Sequence, residues 1–163
     1  MTLRRSIAAA AVALAVPVVS SCGSNFQPPT DQVYQPGVGA NDRSGQVDVL
    51  NALIVSGEDG SGTVIAGLVN NNTDEPDKLT SVSGAGADRS ISVSSSGAQV
   101  EIDPDGFYQL ADKGEISVTG DQIKPGRFVE LTFSFENAES IDIDVPVVAN
   151  TDEFADVPVP SGS

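Results

Sequence analysis

The chain of 163 residues carries 8 basic and 23 acidic side chains, a formal charge of -15, and no histidine or tryptophan. An acid excess of that size disfavours nucleic acid and anionic lipid headgroups as direct partners, because both must be met by clustered Lys and Arg. With Met1 the only methionine and Cys22 the only cysteine, no disulfide is available, and a folded domain must be held by packing alone.

Arg4 and Arg5 precede an apolar run from Ile7 to Val19. The run is too short and too N-terminal for an ordinary spanning helix, so residues 1–21 are predicted to be a secretory signal, absent from the mature protein. Its loss removes two basic residues and takes the charge to about -17. Val19, Ser20, Ser21 and Cys22 resemble a bacterial lipobox, a hydrophobic residue and two small ones before Cys. The resemblance covers four residues and is strengthened by Pro17, near the end of the apolar core, and by the Gly/Ser/Asn/Gln-rich run that follows. It implies that the Cys22 sulfur carries a diacylglycerol and its freed amine an acyl chain such as palmitate, several chains anchoring stably where one would be marginal. Cys22 is the one site residue assigned, with the membrane as its partner and the outer face of the cell membrane as the expected location.

Residues 22–45 include Gln27, Pro28, Pro29, Gln32, Gln35, Pro36, Gly37 and Gly39 without a sustained apolar period, and read as a lipidated flexible linker. About 22 such residues have a root-mean-square reach of roughly 25 Å, enough to lift a small domain clear of the lipid. The domain is expected over 46–149. Gln46 to Val55 and Thr63 to Val69 read as a hairpin across the glycine-rich Ser56 to Gly62, the second strand apolar on both pleat faces. Lys78 to Val82, Ser90 to Val93, Ala98 to Ile102 and Glu115 to Thr119 are shorter candidates; Phe107 to Leu110 fits either an extended segment or one helical turn. Val129, Leu131, Phe133 and Phe135 alternate with Glu130, Thr132 and Ser134, and Ile141, Ile143, Val145 and Val147 repeat the pattern against Asp142 and Asp144. A period of two means one buried face and one wet face, with Leu131 and Phe133 directed inward. Residues 150–163 read as an acidic, Pro-containing disordered tail. About seven or eight short strands separated by turn residues predict an all-β antiparallel sandwich.

The order of these landmarks resembles the actinobacterial LpqE-type lipoproteins, which are similar in turn to the periplasmic PCu(A)C copper chaperones. The resemblance rests on Val64 to Leu79, with Asn70, Asn71, Asn72 and Asp77, on Ile123-Lys124-Pro125-Gly126 running into Val129 to Phe135, and on Ile141 to Val148. It spans roughly Val47 to Val148 and implies a cupredoxin-like or immunoglobulin-like sandwich exported to the envelope. The chaperones hold Cu(I) with histidines and methionines. This chain has neither outside the signal, so no family ligand can be carried onto any position.

The remaining chemistry is sparse. Without histidine or a second thiol, the usual nucleophile and acid–base constellations are missing, and nothing in the spacing of Lys78, Lys113 or Lys124 supports a Ser–Lys pair. Glu101, Asp103 and Asp105 cluster at one turn, and Asp142 and Asp144 share a strand face, arrangements open to a hard cation but more simply a turn and a solvated face. No catalytic residue, metal ligand or cofactor-binding residue is assigned, and no cofactor. The expected function is a non-enzymatic binding or assembly module on a lipid tether, with an envelope protein as candidate partner and the oligomeric state left open. The alternative is a copper-chaperone-like metal-handling lipoprotein with non-family ligands or ligands lent by a partner.

Overall fold

Runs of Val, Ile, Leu and Thr suit a pleated, half-buried surface, and among the described residues ten strands account for nearly all the regular structure. The computed structural model describes residues 38–57, 59–95, 99–110 and 116–160. The signal, Cys22 and the linker through Gly37 lie outside the described residues, as do Ala98, Lys113, Glu115 and the last three residues.

The longest hairpin joins β2 (Val47–Ser56) to β3 (Ser61–Asn70), antiparallel from Val47↔Asn70 to Ser56↔Gly62. Its turn is set by Gly60 at φ 86, which costs glycine nothing, and by Asp59, whose Oδ1 accepts the Ser61 N–H at 3.0 Å. The far edge of β3 is shared by β7 (Phe107–Leu110) and β8 (Ile116–Thr119), and β5 (Ser92–Ser95) pairs beyond β8. Phe107 to Leu110 is therefore extended, as one of its two readings had it. A second layer runs β10 (Ile141–Ala149), β9 (Phe128–Phe135), β4 (Asp77–Gly84) and β6 (Val100–Ile102), each pair antiparallel.

β10 belongs to both layers. Ile141 to Pro146 pair with β9, after which Val147 to Ala149 run parallel to Ile54 to Ser56 of β2. Pro146 has no N–H to give a ladder, and it stands at the residue where the strand changes sheets. The all-β sandwich expected from the sequence is thus present, with ten strands among the described residues in place of about seven or eight and one parallel pair among the antiparallel ones. Alternation specifies which face of β10 is buried; it carries no information about a change of partner.

Between the layers, Val129, Leu131 and Phe133 are 0% exposed, packed with Val47, Val49, Ile54, Val64 and Leu68, while Glu130, Thr132 and Ser134 take the opposite face. The register of this strand is the expected one.

Two boundaries are corrected. The linker assigned to 22–45 gives way earlier, because Ala40–Asp42 form β1 against β2, Ala40↔Ala52 and Asp42↔Val49. No apolar alternation announces that strand. It is held by a bulge at Asn51, φ 50, a conformation Asn tolerates: the Asn51 side chain accepts the Gly39 N–H, and the Asn51 N–H donates to Asn41 Oδ1. The tail expected to be disordered over 150–163 instead returns across the outer face of β2 and β3 as far as Pro160. A 3-10 turn at Asp152–Phe154 starts the return, and Phe154, Val157 and Val159 pack on Leu53, Val55 and Ile65. Its acid and proline content resembles that of disordered segments, but its three apolar side chains have a prepared surface to cover.

Candidate functional site

At one end of the sandwich the loops are fixed by buried polar groups rather than left open for chemistry. Asn70, fully buried at the end of β3, donates from Nδ2 to the carbonyls of Glu75, Ile102 and Asp103 at 2.9, 3.4 and 3.3 Å, and its Oδ1 accepts the Asn72 N–H at 2.9 Å. The side chain ties the loop after β3 to the turn after β6, and each polar atom has a partner. Nearby Asp48 accepts from Asn71 Nδ2 at 2.9 Å. Asp77 is likewise buried, with Oδ1 accepting the N–H groups of Lys78, Glu136 and Asn137 and Oδ2 that of Ala138. These carboxylates and amides are spent on architecture.

The carboxylates singled out for a hard cation behave similarly. Glu101 is exposed on β6 opposite Lys78, and Asp103 and Asp105 stand on a turn satisfied by its own main chain, with Gly106 N–H to Asp103 O and Asp105 N–H to Asn72 O. Asp105 adopts φ 52 in that turn. Asp142 and Asp144 share the exposed face of β10 as expected, but Asp142 Oδ1 accepts the Thr132 hydroxyl at 2.5 Å, and Asp144 stands opposite Glu130. Like charges directly opposed weaken a strand pair unless something neutralises them. Among the described residues no three His, Cys, Asp or Glu side chains are placed to hold a metal ion. Of the lysines weighed for a Ser–Lys pair, Lys78 is drawn to Glu136 at 3.5 Å and Lys124 stands exposed in the turn before β9.

The surface that differs from a plain solvated sandwich is the outer face of β2, β3 and β7. Phe107, 62% exposed, lies over Gly67, where an added Cβ would come within 2.8 Å of its ring. The glycine leaves a floor on which an aromatic ring from the neighbouring strand can rest. Half-buried Leu50 and Val69 flank it. Further along the same face the C-terminal segment covers Leu53, Val55 and Ile65. A second exposed ring, Phe128 at 66%, stands beside exposed Arg127 where β9 begins. Sequence reasoning found none of these as functional candidates; the alternation of Val157 and Val159 with Pro158 and Pro160 was the available signal for the segment that covers the face.

Cu(I) is a soft ion that prefers thiolate, thioether or imidazole donors, whereas carboxylates and carbonyls suit hard cations. The described residues contain no His, Cys or Met, so the donor set does not fit copper held in the manner of the chaperones. Cys22, the sequence-assigned lipid site, lies outside the described residues.

Among solved structures, the chain is similar to a copper-bound PCuAC domain from PmoF2, with TM-score 0.53 and 23% identity over 68% of this chain and 98% of that one. It is similar to the apo PCuAC domain from PmoF1 with the same score and identity, over 68% and 99% of the two chains. The apo PmoF2 PCuAC domain gives 0.52 and 23% over 68% and 95%. Identity at that level establishes a shared fold. No curated protein matches the chain. The family model for LpqE-like lipoproteins matches residues 47–147, more than half of the sequence and all of the sandwich core from β2 into β10. The chain belongs to the LpqE-like lipoprotein family.

Proposed function

We propose that this protein is a non-enzymatic binding or assembly module of the cell envelope, held at the outer face of the membrane by lipid on Cys22, in which a PCuAC-type sandwich persists without copper ligands of its own. The observation that carries this reading is the pairing of a fold shared with copper-bound domains and a donor inventory that lacks histidine and, beyond the signal, methionine. The family consists of lipoproteins, which agrees with attachment through lipid. A sequence without histidine, whose single cysteine is assigned to lipid, supports a binding role over an enzymatic one.

Two measurements test it. Exchanging Cys22 for Ala should move the protein from the membrane fraction to the soluble envelope or the medium; a variant that stays with membranes defeats the anchor. The mature chain with Cys22→Ala should also lose Cu(I) to a weak competing chelator, because it has no thiolate, thioether or imidazole to offer. The rival, a metal-handling lipoprotein, gains if stoichiometric Cu(I) survives passage of that variant through a desalting column.

A further inference from the structure

The segment Asn150 to Pro160 sits on the outer face of β2 and β3 in the manner of a bound peptide. Val157 and Val159 contact Leu53, Val55 and Ile65. The intervening prolines turn their carbonyls to the sheet: Thr63 Oγ1 donates to Pro158 O at 2.6 Å, and Ser61 Oγ lies 2.7 Å from Pro160 O as well as beside Asp59 Oδ1. Two hydroxyls two residues apart on one strand thus meet two carbonyls two residues apart on the segment. Both hydroxyl residues are buried beneath it. Prolines have no N–H to satisfy, so an extended Val-Pro-Val-Pro stretch can be held through its carbonyls and side chains alone. The Asn150 N–H donates to Ser56 O at 3.2 Å where the segment leaves β10, and the turn that follows is closed by the Asn150 side chain, which donates from Nδ2 to Phe154 O and Val157 O.

From this we propose that the outer face of β2 and β3 is a binding site for an extended peptide of alternating branched aliphatic residues and proline, filled in this chain by its own C-terminal segment and open to the same chemistry presented by another envelope protein. Charge identifies the favoured ligand further. The resident segment brings Asp152, Glu153 and Asp156 to a domain that is already strongly acidic. A Val-Pro-Val-Pro peptide flanked by Lys or Arg meets the same apolar floor and hydroxyls with attraction where the resident meets repulsion. Half-buried Leu50 and Val69 with exposed Phe107 continue the apolar surface beyond the covered part and offer a longer ligand further contact.

This proposal does not depend on the lipid anchor, and its test uses the unlipidated mature chain with Cys22→Ala. Against the intact segment, at an effective concentration in the millimolar range, a peptide added in trans competes poorly. Releasing the segment with Val157→Gly/Val159→Gly should strengthen binding of a fluorescent peptide of sequence Lys-Val-Pro-Val-Pro-Lys at least about tenfold, by removal of that competitor. A peptide with Asp in place of the lysines should bind more weakly at low salt, and the difference should shrink as salt screens the charges. Adding Ile65→Ser to the released protein should abolish binding. A chain ending at Asn150 provides a second released form. The proposal is overturned if a folded released form does not bind the peptide more tightly than the intact chain, or if Ile65→Ser leaves binding unchanged. It is equally overturned if neither released form folds, since the segment is then an inseparable part of the core.

Discussion

Phe133→Ala should lower the unfolding free energy by about 3 to 5 kcal/mol, from lost transfer energy plus the cavity left behind, a large part of the 5 to 15 kcal/mol that holds a typical domain. The ring is wholly excluded from solvent, on a strand with neighbours on both sides, β4 at Val82 and β10 at Ile141. With hydrogen-bonded partners on either edge, β9 has little freedom to collapse into the space. Thr132→Ala, one residue away on the opposite face, should cost about 1 kcal/mol or less: it removes a partly exposed hydroxyl whose acceptor, Asp142, is open to water. Urea midpoints of the two variants provide the comparison. Equal shifts would mean that the faces of β9 are exchanged, since a slip of one residue turns every side chain over.

That contrast was readable from the sequence because a half-buried strand writes its faces into alternate positions. The same signal placed Ile141 to Val147, and an unbroken apolar run gave the fully buried β3. The signal ends where partners other than water decide a residue's fate. β1 carries Ala, Asn and Asp and is a strand only because the bulge at Asn51 offers it hydrogen bonds. Val147 to Ala149 continue the alternation of β10 while changing sheets, so their parallel pairing with β2 depends on the whole topology. The C-terminal segment reads as disordered on composition, yet the outer halves of β2 and β3 supply Leu53, Val55 and Ile65 for it to cover. The apolar outward-facing positions on both strands were the clue that something lay over them. Function was legible mainly through what is missing, because the absence of soft donors is a property of composition. The peptide-like seating of Val157 to Pro160 needs the distances.

Asp77→Ala should destabilise the domain by about 3 kcal/mol or more, comparable with losing a large core side chain, although it removes no apolar contact. The carboxylate is 2% exposed at the start of β4 and faces the connection between β9 and β10, where the N–H groups of Glu136, Asn137 and Ala138 converge on it at 3.2, 3.0 and 2.8 Å. The Lys78 N–H adds a fourth contact, at 2.6 Å. Successive main-chain N–H groups that turn inward form a concavity for an anion, and here the chain supplies the anion itself. Without it the N–H groups of Asn137 and Ala138 lose their acceptor together, Glu136 keeping the Lys78 carbonyl at 2.9 Å, and the entry of β10, the strand that joins the two layers, loses its register pin. Asp77→Asn keeps the shape and one acceptor oxygen but points an amide hydrogen at an N–H, so it should recover part of the loss and remain clearly less stable than the parent. Hydrogen exchange separates this local role from a general loss of packing: the amides of Asn137 and Ala138 should exchange far faster in both variants, while those of Leu68 and Val64 in β3 should change only as global stability does. An Asp77→Asn protein with parental stability and unchanged protection at Asn137 and Ala138 would show that shape alone holds the turn.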